Sequence, residues 1–207
     1  MPDWNEIFSE KGKVFVNPHP DMERLVKLFR EKGVKRILDL GCGTGRHLLF
    51  FSKNGFELYG VDAAPKGLEI AKKWLEEENQ CAELLLHRIE ENLPFEDNFF
   101  DAVVSIQVIH HNFLEKIIMT IKVIERILRK GGIIFITFPT LELFKHKNEW
   151  DLLEVETRTF IPQKGQEKGV PHHFFSKDEI KKLFKNFKIL EMYIDETEHR
   201  AILGIKK

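Results

Sequence analysis

Apolar side chains recur along this chain in an alternation of helical and extended rhythms. Between Asp21 and Lys32, Met22, Leu25, Val26 and Phe29 follow the i, i+3, i+4, i+7 stripe of an amphipathic helix, and Gly33 closes it. Arg36–Leu40 is a short apolar run that reads as a buried parallel strand, ending in Asp39 and a cluster of glycines. A short helix is expected over Arg46–Lys53, closed by Asn54-Gly55, then a strand over Glu57–Val61 and a helix over Lys66–Glu78. Further strands are expected over Leu84–His87 and Asp101–Val108. A helix over Glu115–Arg129 comes next, with Ile117, Ile121, Ile124 and Leu128 on one side, and then a fifth strand over Ile133–Phe138. Strands that alternate with helices imply a mainly parallel sheet covered on both faces, with right-handed crossovers.

The rhythm lapses over Pro139–Pro171, where Gly, Lys and Glu are scattered around one β-like piece, Thr157–Ile161. So long an interruption of an α/β domain is usually functional or disordered. It reads as a cap over a pocket, with Gly165–Gly169 as its most mobile part. Order returns at Ser176, which forms a capping box with Glu179 ahead of Ile180, Leu183, Phe184 and Phe187. Phe187–Ile194 and Arg200–Ile205 then read as two strands, and their short connection permits only an antiparallel pair. The expected fold is α/β: a doubly wound, mixed seven-stranded sheet with helices on both faces. It forms a single domain over residues 1–207, with an N-terminal arm at 1–20 and a cap insertion at 139–175.

Composition narrows the field. A length of 207 residues suits one embellished domain. Lysine and arginine (32) nearly balance aspartate and glutamate (33), so no global basic field exists to hold a nucleic-acid backbone. Lys177, Lys181, Lys182, Lys185 and Lys188 crowd one helix, but Asp178 and Glu179 among them suggest a solvated face. Two cysteines, Cys42 and Cys81, cannot make a disulfide framework. The longest apolar runs are strand-sized and too short to span a bilayer, and the acidic first residues do not resemble a signal peptide. The expectation is a cytoplasmic protein with no membrane partner, monomer or homodimer.

The densest chemical signal is Asp39-Leu40-Gly41-Cys42-Gly43-Thr44-Gly45, between a strand and a helix. Glycines at 41, 43 and 45 remove side chains where a ligand must approach backbone amides at the carboxyl edge of the sheet. Arg46 stands where a dinucleotide fingerprint needs its third glycine, which weakens the pyrophosphate reading. Asp62, at the tip of the second strand, can accept both hydroxyls of a ribose.

Together with Asp62-Ala63, Leu93-Pro94-Phe95, Phe100-Asp101 and Gly131-Gly132, this loop resembles the class I S-adenosylmethionine-dependent methyltransferases over about Lys35–Phe138. The resemblance implies a Rossmann-like sheet and S-adenosyl-L-methionine as cofactor. It also implies a cofactor site of Asp39, Gly41, Cys42, Gly43, Gly45, Arg46, Asp62, Ala63, Glu90 and Gln107. By that analogy the glycine loop takes the methionine part, Asp62 the ribose, and Ala63 packs on adenine. Where the family often carries an acid for the adenine amino group, this chain has Ile89, so Glu90 or backbone groups take that role.

Nine histidines include two pairs, His110-His111 after the fourth strand and His172-His173 at the end of the insertion. Histidine suits proton transfer near neutrality, so His111 or His173 is expected to act as general base, with His110 and His172 beside them. Arg158 is expected to orient an anionic or carbonyl group. No carboxylate stands at an obvious ligand spacing with these histidines, so no metal is expected. Trp4, Phe8 and Phe15 suit an aromatic flap over the cofactor or, equally, packing of the arm. The favoured reading is methyl transfer to a small-molecule acceptor. The alternatives are methylation of RNA or protein, a binding protein without turnover, or a nucleotide-dependent oxidoreductase.

Overall fold

The computed structural model describes residues 4–142 and 150–207. The arm begins with a helix, α1 (Trp4–Lys11), and α2 (Met22–Glu31) follows. The sheet then builds through β1 (Arg36–Leu40), α3 (Arg46–Lys53), β2 (Glu57–Asp62), α4 (Pro65–Glu77), β3 (Glu83–Leu86), β4 (Phe100–Ile106), α5 (Leu114–Ile127) and β5 (Leu128–Phe138). The insertion supplies β6 (Leu152–Glu156), β7 (Thr159–Pro162) and β8 (His172–His173). The chain ends with α6 (Lys177–Leu183), β9 (Phe187–Ile194) and β10 (Arg200–Lys206).

Seven strands form one sheet in the order β3-β2-β1-β4-β5-β10-β9, parallel except where β10 runs antiparallel to both neighbours. Successive residues of each strand face opposite sides. From β1, Leu38 packs with Ile117, Ile121 and Ile124 of α5 and Ile180 of α6. Its neighbour Ile37 packs with Leu25 and Phe29 of α2, Leu48 and Phe51 of α3, and Leu75 of α4. Burial on both faces is why these strands read as unbroken apolar runs. Strand order reverses on either side of β1, which pairs with β2 and β4, and that reversal opens a crevice at the carboxyl ends of the strands.

Two expectations are revised. The fifth helix stops at Ile127, and Leu128 already has extended backbone and pairs with Phe100, so β5 starts earlier than its apolar run suggests. The insertion is not one β-like piece but a three-stranded antiparallel sheet, β6-β7-β8. Arg158 sits in its hairpin turn with φ of 65°, a left-handed conformation that ends a strand. The insertion is tied to the domain at its far end. The His173 amide donates to the His110 carbonyl, and the Phe174 amide to the Arg158 carbonyl. Phe174 and Phe175 are buried. Residues 143–149 of the expected cap and 1–3 of the expected arm lie outside the described residues. Among the described residues, no helix is long and apolar enough to cross a membrane.

Candidate active site

The loop after β1 is held by backbone before any ligand is considered. The amides of Gly41 and Cys42 both donate to the Val61 carbonyl at the tip of β2. The Gly43 amide donates to Asp62 Oδ2 at 2.7 Å and the Ala64 amide to Oδ1 at 2.8 Å. Asp62 therefore clamps the loop against the neighbouring strand. Burial raises its carboxyl above the ordinary value, while the amides of Ala64, Gly43 and Ala63 pull the other way. All three loop glycines have left-handed φ, between 52° and 89°. A Cβ on Gly41 would lie 2.3 Å from Val108 Cγ1, and one on Gly45 2.8 Å from Ala71 Cβ. Two of the three glycines thus answer to packing against protein as well as to backbone conformation. Clearance for a ligand is not their only cause.

Behind the loop, Asp39 is buried with neither carboxylate oxygen hydrogen-bonded among the described residues. Burial pushes its pKa up to about 7, against the pull of Arg46. His47, also buried, has Nδ1 4.0 Å from Asp39 Oδ2, too far for a hydrogen bond. Burial and the nearby Arg46 hold its imidazole neutral. Burial also drives the Cys42 thiol well above its ordinary value. An unpaired buried carboxylate is costly and marks a place where a cation is expected.

In front of the loop lies a cavity of about 830 Å³. Gly41, Cys42, Gly43, Asp62 and Ala63 form one wall, and Arg88, Ile89 and Glu90 form the next. Arg88 Nε donates to the buried Glu90 Oε1 at 2.9 Å. Burial raises the Glu90 carboxyl, and this pairing outweighs that effect and leaves it below the ordinary value. At the tip of β4, Gln107 adopts a left-handed φ of 59° and its amide donates to Thr137 Oγ1. Such a conformation in a residue other than glycine is often found where a side chain is aimed at a site. Trp4, Phe8 and Phe15 of the arm all line the cavity, and the Arg46 guanidinium lies 5.0 Å from the Phe15 ring.

The opposite wall is imidazole. His110 and His111 line the cavity together with Glu167 and Gly169–Pro171 from the insertion. His172 comes to 4.7 Å from His111 and 5.6 Å from His110, ring centre to ring centre. Glu167 joins them: its Oε2 lies 2.5 Å from His172 Nε2 and 3.4 Å from His111 Nε2. Burial would raise the Glu167 carboxyl, but its contacts with His111 and His172 hold it well below the ordinary range. Burial keeps His110 and His111 neutral, in His111 against the pull of Glu167. Trp4 packs over His111, and Trp150 packs against His172.

The other two expected catalytic groups lie elsewhere. His173 is fully buried, with Nδ1 2.8 Å from Thr159 Oγ1 and Nε2 3.2 Å from Glu179 Oε1, and it is not part of the cavity wall. Neighbouring residues of a strand face opposite ways, so with His172 turned to the cluster His173 turns from it. Arg158 Nε donates to the Phe174 carbonyl at 2.5 Å, which fastens the hairpin turn rather than a substrate. Neither residue stands where a base or an anion-orienting group would act.

A family model described as a methyltransferase domain matches residues 38–136. A probable tRNA methyltransferase 9B of Bos taurus is 34% identical over 146 residues, 70% of this chain. The chain spans only 30% of the length of that relative. A crystal structure of a protein from Pyrococcus horikoshii aligns with TM-score 0.78 at 20% identity, covering 98% of this chain and 99% of that one. A crystal structure of an S-adenosylmethionine-dependent methyltransferase from Clostridium acetobutylicum aligns with TM-score 0.74 at 13% identity, covering 97% and 96%. Residues 38–136 thus belong to the methyltransferase domain family, and the chain as a whole has the fold of S-adenosylmethionine-dependent methyltransferases.

Of the residues expected to hold that cofactor, Gly41, Cys42, Gly43, Arg46, Asp62, Ala63, Glu90 and Gln107 line the cavity, whereas Asp39 is buried behind the loop. Both Asp62 oxygens already accept an amide, but each carboxylate oxygen retains a further lone pair. Sequence reasoning missed Glu167 and His47. Only the flanking Gly165 and Gly169 single out Glu167 within its charged loop, and they mark mobility rather than chemistry. His47 sits in the first turn after the glycine loop and lines the cavity, with its Nε2 accepting from the His19 amide.

Proposed function

We propose that this chain transfers a methyl group from S-adenosylmethionine to a small molecule held between the glycine loop and the insertion. The observation that carries this reading is the cavity itself, with the loop on one side and His110, His111 and Gly169–Pro171 on the other. At about 830 Å³ it lies within the roughly 300–1,000 Å³ of small-molecule sites and is walled on several sides. When bound, the cofactor supplies an electrophilic methyl on a sulfonium sulfur, so the protein's task is placement and exclusion of water. The insertion acts as the cap of one domain, covering the cavity from the side opposite the loop. Arg46, Arg88 and Lys116 on the walls favour an acceptor with anionic or carbonyl groups. A neutral His111, backed by Glu167, takes the acceptor's proton where the nucleophile is a protonated oxygen or nitrogen. Both cysteines are free, in keeping with a reducing cytoplasm.

RNA is the second reading, favoured by the bovine relative's name and by the same three cationic side chains. The test incubates the chain with radiolabelled S-adenosylmethionine and, separately, a small-metabolite fraction and total tRNA. Label in the metabolite fraction alone supports the first reading, and label in tRNA alone replaces it with the second. With the acceptor in hand, His111→Ala should lower kcat by ~10²–10⁴ while S-adenosylhomocysteine binding is kept.

A further inference from the structure

The imidazole wall has the composition and spacing of a metal centre. His110, His111 and His172 each offer a ring nitrogen, and the three nitrogens lie within 4.8 Å of one another. Glu167 Oε2 adds a carboxylate oxygen at 3.4 Å from His111 Nε2 and 2.5 Å from His172 Nε2. Around a tetrahedral ion with metal–nitrogen bonds of ~2.0–2.1 Å, ligand atoms stand ~3.3 Å apart. The pair from His111 to Glu167 already has that spacing.

The hydrogen bonds point the same way. His172 Nδ1 lies 2.8 Å from the Val170 carbonyl, which can only accept, so Nδ1 carries the hydrogen. Its Nε2 faces a carboxylate oxygen 2.5 Å away, an arrangement that requires either a shared proton or a metal ion between the two atoms. A ring N–H given to a backbone carbonyl is the support that metal-bound histidines commonly have. His110 Nδ1 is buried with no hydrogen-bond partner among the described residues. Trp4 and Trp150 pack on the cluster and restrict water.

The geometry points to a binding site for one divalent transition-metal ion, of the zinc class, held by His110, His111, His172 and Glu167. Three imidazoles and one carboxylate select zinc-like ions over magnesium or calcium, which prefer oxygen ligands. The ion joins the tip of β4 to the end of the insertion, and so fastens the cap to the sheet beside the methyl acceptor. For catalysis the inference rests on the function proposed above: the four protein ligands would fill a tetrahedral ion, which would take up the His111 lone pair and hold the cap in place beside the acceptor. The binding itself does not depend on that function.

The experiment titrates zinc sulfate into untagged, chelator-treated protein by calorimetry, and records the visible spectrum with cobalt(II). One ion per chain is expected, with the absorption bands of four-coordinate cobalt. Glu167→Gln keeps the side-chain size and should weaken zinc at least about tenfold, and His172→Ala should abolish the cobalt bands. S-adenosylhomocysteine binding by each variant checks that it is folded. No zinc binding by the wild type, or equal binding by wild type and folded Glu167→Gln, overturns the site and leaves a hydrogen-bonded His172–Glu167 pair. Zinc binding without methyl transfer to any acceptor would keep this site and remove the proposed function. Methyl transfer without zinc binding would do the reverse.

Discussion

The two walls of the cavity are built by different physics. The glycine-loop wall is local: β1, the loop and β2 lie within Arg36–Asp62, and strand tips, left-handed glycines and one carboxylate clamp hold it. The imidazole wall is assembled from distant segments. His110 and His111 come from the tip of β4, while Glu167 and His172 come from the insertion, brought there by β8 docking on the His110 carbonyl. The first wall is rigid scaffold, of the kind that binds a cofactor the same way throughout a fold. The second depends on tertiary docking of β8 on the tip of β4.

The largest effect should come from breaking the local wall. Gly41→Ala imposes a Cβ in a left-handed conformation, at ~1–2 kcal/mol, and drives it into Val108 2.3 Å away, at a further ~1–3 kcal/mol. A loss of ~2–5 kcal/mol in urea unfolding is expected, together with loss of cofactor binding. An Ala variant as stable as the wild type would show that the loop is not the rigid half.

Asp39 gives the next effect, and its sign depends on pH. Its carboxyl is raised from 3.8 to about 7 in the folded protein, so the folded state holds its proton where the unfolded chain has lost it. Stability from this group therefore falls as pH rises from about 4 to about 7, and the deficit is complete above that range. At 1.36 kcal/mol per unit the deficit approaches ~4 kcal/mol. Asp39→Asn should therefore stabilise the cofactor-free protein more at pH 8 than at pH 5, while weakening S-adenosylhomocysteine. Urea titrations at the two pH values measure this, and an equal change at both would mean that burial does not raise the Asp39 carboxyl.

The same contrast explains what was legible from sequence. The order of strands and helices was readable because burial on both faces writes apolar runs into β1, β4 and β5, and because α2 and α5 carry clear stripes. The cofactor wall was readable because its parts are contiguous: the Gly41–Gly45 loop, then Asp62 at the next strand tip. The end of α5 was not, since Leu128 is apolar in either conformation and only its pairing with Phe100 decides. His173 faces away from the cavity because adjacent strand residues face opposite ways and the register of β8 is set only by the folded insertion, while Arg158 falls in the hairpin turn and is bound to the Phe174 carbonyl. Glu167 could not be paired with His111 from spacing, because 56 residues separate them and only the folded insertion joins them.

The central claim is that the cofactor is held by the local wall and not by the docked one. Calorimetric titration of S-adenosylhomocysteine into Asp62→Ala and Arg158→Ala tests it most directly, with one variant in the loop wall and one in the insertion that carries part of the other wall. Removing the Asp62 carboxylate takes away a ribose acceptor and the clamp on Gly43, so affinity should fall by ~1–3 kcal/mol, roughly 5- to 150-fold. Arg158→Ala frees the hairpin turn of the insertion and should leave affinity at the wild-type value. Folded Asp62→Ala that binds as the wild type does, or a loss in Arg158→Ala as large as that in Asp62→Ala, would contradict the account.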